Sequence, residues 1–166
     1  ELRLALLGNL DVRRGGVLVT DLSSKAQALL CYLAVTGRPH LRPTLAGLLW
    51  GEMPEANAQN NLRKALTNLR QFVRPYLMIT RQAVAFNRDS PYWLDVEVFE
   101  TLGARGNTDA VSTRPPDIER LQEAVELYQG DFLEGFYVRR RASAFEEWAL
   151  AQRARLRALA LQALHT

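Results

Sequence analysis

Glu55-Ala56-Asn57-Ala58-Gln59-Asn60-Asn61-Leu62-Arg63-Lys64-Ala65-Leu66-Thr67-Asn68-Leu69-Arg70-Gln71-Phe72-Val73-Arg74 is the stretch that decides the fold. Leu62, Ala65, Leu66, Leu69, Phe72 and Val73 recur at helical spacing and form one apolar stripe. Pro54 suits the opening of a helix, Glu55 suits its first turn, and Pro75 ends it. At 100° per residue, the side opposite the stripe carries Asn60, Lys64, Thr67 and Gln71, flanked by Asn57, Arg63, Asn68 and Arg74. No acid follows Glu55 in this helix. A helix face that is merely solvated usually mixes both charge signs, often as pairs four residues apart. This face does not.

Working outward, Pro43 suits a first helical position, and Leu45, Leu48 and Leu49 predict a short helix that Trp50-Gly51-Glu52-Met53 breaks. Before it, Ser24 and Gln27 form a capping-box pattern, Ala26, Leu29, Leu30 and Leu33 follow at helical spacing, and Gly37 and Pro39 stop the helix. Leu2, Leu4 and Leu6 alternate as in a half-buried strand. Gly15-Gly16 and the run Val17 to Thr20 extend this to a short antiparallel sheet over about residues 2–20. Downstream, Tyr76–Thr80 and Ala83–Phe86 read as strands joined around Arg81-Gln82, with Tyr92–Leu94 a third strand. The tip lacks the Asn-Gly type of turn chemistry. Sheet, three helices and C-terminal hairpin is the order of a winged helix-turn-helix, whose third helix is placed to enter a major groove.

Past Asp95 the pattern turns helical. A helix is predicted over Val96–Leu102, then a Gly/Pro-punctuated loop over 103–116. Ile118, Leu121, Ala124, Val125 and Tyr128 mark a further helix, residues 130–136 a turn with two aromatics, and Ala144–Leu164 a long helix. The fold class expected is therefore α+β: a winged helix-turn-helix domain over 1–95, followed by an all-α segment over 96–166.

Charge follows the same division. The 166 residues carry a net charge of +3, with 48% hydrophobic and 23% charged residues. Residues 1–92 hold 12 Lys and Arg against 6 acids, whereas 93–166 hold 9 Arg against 12 acids, so +6 is followed by −3. A basic half facing a polyanion and an acidic half with another task fit this asymmetry. No apolar run approaches the ~18 residues of a membrane span, so no membrane partner is expected. The single cysteine, Cys31, excludes a disulfide framework and fits a reducing, cytoplasmic setting.

Catalysis finds little support. His40 and His165 lie far from Cys31 in sequence and lack metal-ligand spacing, and Cys31 reads as a packing residue within a helix. Glu146 and Glu147 diverge around a helix, while Asp131 and Glu134 read as caps of a turn. No enzyme activity, metal or cofactor is expected.

Double-stranded DNA is the partner these residues suit. Asn pairs bidentately with adenine, Arg and Lys with guanine, and Thr with base or phosphate. Base or near-base contacts are therefore expected from Asn60, Asn61, Arg63, Lys64, Thr67 and Asn68, and phosphate contacts from Arg42, Arg70, Arg74 and Arg81. Burial of Arg70 would remove it. Periodicity and charge alone fit an ordinary solvated helix equally well. A second reading makes the winged helix a protein-docking surface beside a helical scaffold. Arg139-Arg140-Arg141 fits an extension of the DNA footprint, a hold on an acidic surface, or, the reading favoured here, a solvated link. Tyr92, Trp93, Phe99, Phe132, Phe136, Phe145 and Trp148 are expected in core and interdomain packing, because they sit mainly in the acidic half.

The motifs also carry a resemblance. Through Lys25-Ala26-Gln27-Ala28-Leu29-Leu30, Leu48-Leu49-Trp50 and Asn60 to Arg70, residues 2–95 resemble the OmpR/PhoB-type winged-helix domain of SARP-type bacterial transcriptional activators. Through Tyr128 to Phe136 and Phe145-Glu146-Glu147-Trp148, residues 96–166 resemble the opening of the tetratricopeptide (TPR)-like bacterial transcriptional activation domain, BTAD. The resemblance implies a DNA-binding activator acting at direct repeats, which leaves room for a homo-oligomer on repeated sites. It implies a wing in the adjacent minor groove, and RNA polymerase as a partner facing the turn from Trp50 to Pro54. The short Arg81-Gln82 tip departs from that pattern and limits the wing's reach. Because the helical domain normally continues, and the chain starts at Glu1, an N-terminal piece of a longer regulator is expected.

Overall fold

Three helices carry the basic half: α1 (Ser24–Thr36), α2 (Arg42–Trp50) and α3 (Glu55–Val73). They belong to a computed structural model that describes residues 1–106 and 118–164. The predicted loop over 103–116 lies, from residue 107, outside the described residues, as does His165. Strands β1 (Leu2–Ala5), β2 (Asp11–Arg14) and β3 (Val17–Leu18) precede the helices, and β4 (His40–Leu41) falls between α1 and α2. A 3-10 turn over Arg74–Tyr76 leads to β5 (Leu77–Ile79), β6 (Ala83–Phe86) and β7 (Tyr92–Leu94). The helices α4 (Asp95–Gly106), α5 (Ile118–Leu127) and α6 (Ser143–Leu164) complete the chain. The strands form two sheets, ordered β3-β2-β1-β7 and β4-β6-β5.

The chain divides into two compact units that interleave along the sequence. The first holds Glu1–Arg3, Val12–Tyr92 and Tyr137–Trp148; the second holds Leu4–Asp11 and the described parts of Trp93–Phe136 and Ala149–Thr166.

In the first unit α1 is the central helix. Beyond the predicted stripe of Ala26, Leu29, Leu30 and Leu33, its residues Ala28, Cys31, Tyr32 and Ala34 are also buried. The predicted cap moves by one residue: Ser23, not Ser24, takes the extended conformation, and its Oγ accepts from the Ala26 N–H at 3.1 Å. Two adjacent serines both satisfy the sequence rule, and the backbone geometry decides between them. Gly37 closes the helix at φ +65°, its N–H bonded to the Leu33 carbonyl at 3.0 Å. A Cβ there would lie 2.9 Å from Arg88 Nη1. Gly37→Ala should therefore destabilise the fold by roughly 1–2 kcal/mol, read from thermal unfolding.

The two-residue strand β4 has no periodicity to announce it. It is held by pairing, His40 opposite Val84 and Leu41 opposite Ala83. His40 is buried, tilted against the Tyr32 ring at 4.7 Å, with Nε2 at 2.7 Å from Thr36 Oγ1. That hydroxyl gives its one proton to the Tyr32 carbonyl at 2.7 Å, so it must accept from a protonated Nε2. Burial, and then the charge of Arg38, hold the His40 pKa below its usual 6.5. The unfolded chain thus binds a proton more readily, and stability contributed by neutral His40 is lost as pH falls below about 6.5. Unfolding midpoints should drop between pH 7.5 and 5, and drop less in a His40→Phe variant.

The second unit is organised by a buried carboxylate. Asp95, at the start of α4, accepts from the Leu6 N–H at 2.9 Å, the Leu7 N–H at 2.8 Å and the Val96 N–H at 2.8 Å. Burial pushes its carboxyl above the ordinary 3.8, against the downward pull of those donors. The same N-terminal segment pairs with the turn after α5. Leu7 bridges Phe132 antiparallel, and Leu133 donates to the Leu6 carbonyl at 2.8 Å. Gly130 permits this approach, since a Cβ there would sit 3.1 Å from Gly8 Cα and 2.7 Å from Glu134 Oε2. Asp131 does more than cap that turn: Arg157 of α6 grips it bidentately at 3.2 and 2.5 Å, and Tyr128 Oη donates to it at 3.0 Å. The Arg157 bond, ahead of the Tyr128 bond, draws the Asp131 pKa below 3.8. Phe99, Phe132 and Phe145 are fully buried, each in the core of its own unit.

Candidate nucleic-acid interface

Of the predicted stripe of α3, Leu62, Ala65, Leu66, Leu69 and Val73 are buried, joined by Ala58, whereas Phe72 at the end of the helix is only half-buried. Each leucine so buried stabilises the fold by about 1.5–3 kcal/mol, enough to fix the helix's rotation about its axis. The opposite face is thereby committed to solvent. Asn60, Arg63, Lys64, Thr67, Arg70, Gln71 and Arg74 are all exposed. Arg70 is not buried against a sheet and stays in the candidate set. Beyond Glu55 the face carries no carboxylate.

Two of the amides are already occupied. Asn68 is half-buried; its Oδ1 accepts from the Ser23 N–H at 2.9 Å and its Nδ2 donates to the Asp21 carbonyl at 3.2 Å. It ties α3 to the residues that start α1. Asn61, also half-buried, donates to Met53 Sδ at 3.2 Å and so braces the turn between α2 and α3. Thr67, which is exposed, donates to the Arg63 carbonyl at 3.0 Å, and its hydroxyl oxygen can still accept a bond. Asn60, Arg63 and Lys64 make no side-chain hydrogen bond or ion pair among the described residues, so their donors remain available.

The wing follows α3 through the 3-10 turn over Arg74–Tyr76. Its strands pair Leu77 with Phe86, Met78 with Ala85 and Ile79 with Val84. Thr80 supplies the turn chemistry that the tip lacks: its Oγ1 accepts from the Gln82 and Ala83 N–H groups at 3.3 and 3.0 Å. Arg42 fastens the tip to the start of α2. Its N–H reaches the Gln82 carbonyl at 3.0 Å and its Nε the Thr80 carbonyl at 2.9 Å. Arg42 is half-buried, and Arg81 at the tip is exposed. The guanidinium of Arg42 thus has a positioning task that its place in the sequence did not disclose. Arg14 has a similar one, donating to the Phe72 carbonyl at 2.8 Å near the end of α3 and lying over the Tyr76 ring.

Among the described residues no cluster of three or more His, Cys, Asp or Glu could hold a metal ion. No helix among them is long and apolar enough to cross a membrane.

Comparison with known proteins bears on both halves. Residues 94–166 match the family model of the bacterial transcriptional activator domain. The chain shares its fold with a solved structure described as Mycobacterium tuberculosis EmbR in complex with low affinity phosphopeptide. The TM-score is 0.70 at 21% identity, over 98% of this chain and 43% of that one. The present chain therefore spans under half the length of that solved protein. No curated protein matches the chain. The shared fold is a winged helix-turn-helix followed by a helical segment, and the family match falls on that helical segment.

Proposed function

We propose that the chain is a sequence-specific DNA-binding transcriptional activator, in which α3 enters a major groove. Its winged-helix part, residues 1–95, binds double-stranded DNA, and residues 96–166 serve activation. One observation carries the reading. Packing fixes α3 so that its outward face presents Asn60, Arg63, Lys64 and Thr67, with Arg70 and Arg74 on the same exposed side and no acid after Glu55.

Asn60, Arg63, Lys64 and Thr67 are the side chains available to read base edges. Asn61 and Asn68 flank them and hold the helix in register through their existing bonds. Arg42, Arg70, Arg74 and Arg81 meet phosphates and position the protein without reading sequence. RNA polymerase is the partner proposed for the turn from Trp50 to Pro54, where Glu52 is exposed. Binding at direct repeats brings copies of the chain side by side on DNA, in the cytoplasm. The reading contains no catalytic step and no cofactor.

Selection of bound duplexes from a random-sequence pool tests it. The chain should enrich a defined motif, and Lys64→Ala should relax preference at one base position within it. Enrichment of no motif would leave the protein-docking reading in its place.

A further inference from the structure

The segment between the turn at 130–136 and α6 displays its arginines. Val138 and Ala142 are buried, 5% and 3% exposed, and between them Arg139, Arg140 and Arg141 all face solvent. The turn is anchored at its start, where the Arg139 N–H donates to Ser24 Oγ at 2.9 Å. Arg140 adopts φ +61°, a left-handed conformation costly for any residue that carries a Cβ. The Arg139 N–H bond and the buried Val138 and Ala142 on either side hold it there.

This turn borders a cleft of about 1470 Å³ within the first unit, whose lining includes Lys25 of α1 and Asn61, Lys64 and Asn68 of α3. Five cations, Lys25, Lys64 and the three arginines, line it with Glu52 as the one carboxylate. Lys25 is half-buried, donating to the Leu49 carbonyl and lying 5.3 Å from the Trp50 ring centroid. Burial lowers its pKa; Glu146 raises it, and the positive charge of Arg140 lowers it further. Acidic relief is slight: Glu146 lies 3.5 Å from Arg141, whose side chain remains 85% exposed. Folding thus gathers like charges beside the very helix whose Lys64 faces outward.

We infer that Arg139–Arg141 form a second phosphate clamp, contacting the DNA backbone beside the groove that α3 enters. The inference rests on the proposed DNA reading and extends it into the part of the sequence that matches the activator domain. An extended polyanion suits the site better than a small anion. Small-ligand pockets enclose most of their ligand in an apolar wall, whereas these arginines stand out in solvent. Guanidinium groups also match phosphate oxygens in paired hydrogen bonds.

The test is titration of the chain against a random-sequence duplex of about 30 base pairs, between roughly 50 and 200 mM salt. With all three arginines changed to Ala, binding at the low-salt end should weaken roughly 10- to 100-fold and the log–log salt slope should flatten by up to about 2.7. Sequence preference should survive. All three changed to Lys should restore the slope, since charge rather than fold is what was removed. Arg140→Gly offers a variant that keeps the fold, as it relieves the positive φ; its slope should flatten by about 0.9. Unaltered affinity and slope in these variants, while changes at Arg63 and Lys64 still weaken binding, would overturn the clamp and leave the α3 reading standing. Failure of the unaltered chain to bind DNA would remove both.

Discussion

Replacing Arg63 and Lys64 together by Glu should weaken DNA binding by on the order of 100-fold or more, with the fold unchanged. Both side chains are exposed on α3, and neither has an ion pair among the described residues. Their loss leaves no internal partner stranded, and glutamate is a good helix former. Each contact to a guanine edge or a phosphate is worth about 1–3 kcal/mol, and reversal adds repulsion from the phosphates to that loss. Mobility-shift titration reads the affinity, and circular dichroism checks the fold. Binding at the original affinity would remove α3 from the interface.

The largest effect on stability is expected at the other end of the charge scale. Asp95→Ala should destabilise the chain by about 3 kcal/mol, because it strands the buried N–H groups of Leu6 and Leu7 as well as that of Val96. In a chain of 166 residues this lowers Tm by roughly 6–12 °C. Asp95→Asn should fall between, as it keeps one acceptor oxygen but turns an NH2 group toward those donors. Differential scanning calorimetry separates the three forms; equal Tm values would show that the carboxylate does not organise this unit.

The contrast between α3 and Asp95 explains what the sequence disclosed. The stripe of α3 is a local pattern, so its burial and its polar face both follow from spacing within one helix. The bonds of Asp95 reach Leu6 and Leu7 across 89 and 88 positions, which no local pattern announces. Asn68 shows the same limit on the candidate interface. Spacing alone assigns it to a base-reading face, yet its amide is engaged 45 and 47 residues away by Ser23 and Asp21. Arg42 is likewise recruited by the wing tip, 38 residues on. Thr80 was legible in principle: a hydroxyl just before a two-residue tip can accept its N–H groups, even where Asn-Gly is missing. The arginine turn at 139–141 is visible in the sequence as charge, but its place beside Lys64 depends on Val138, Ala142 and the Ser24 hydroxyl.

The measurement that bears most directly on the central claim is the affinity of the unaltered chain for duplex DNA as salt is raised. About four phosphate contacts, from Arg42, Arg70, Arg74 and Arg81, predict a log–log slope of about −3.6, steeper if the arginine turn also binds, with selective retention of particular sequences. A flat salt response, with no duplex retained even at low salt, would contradict the account.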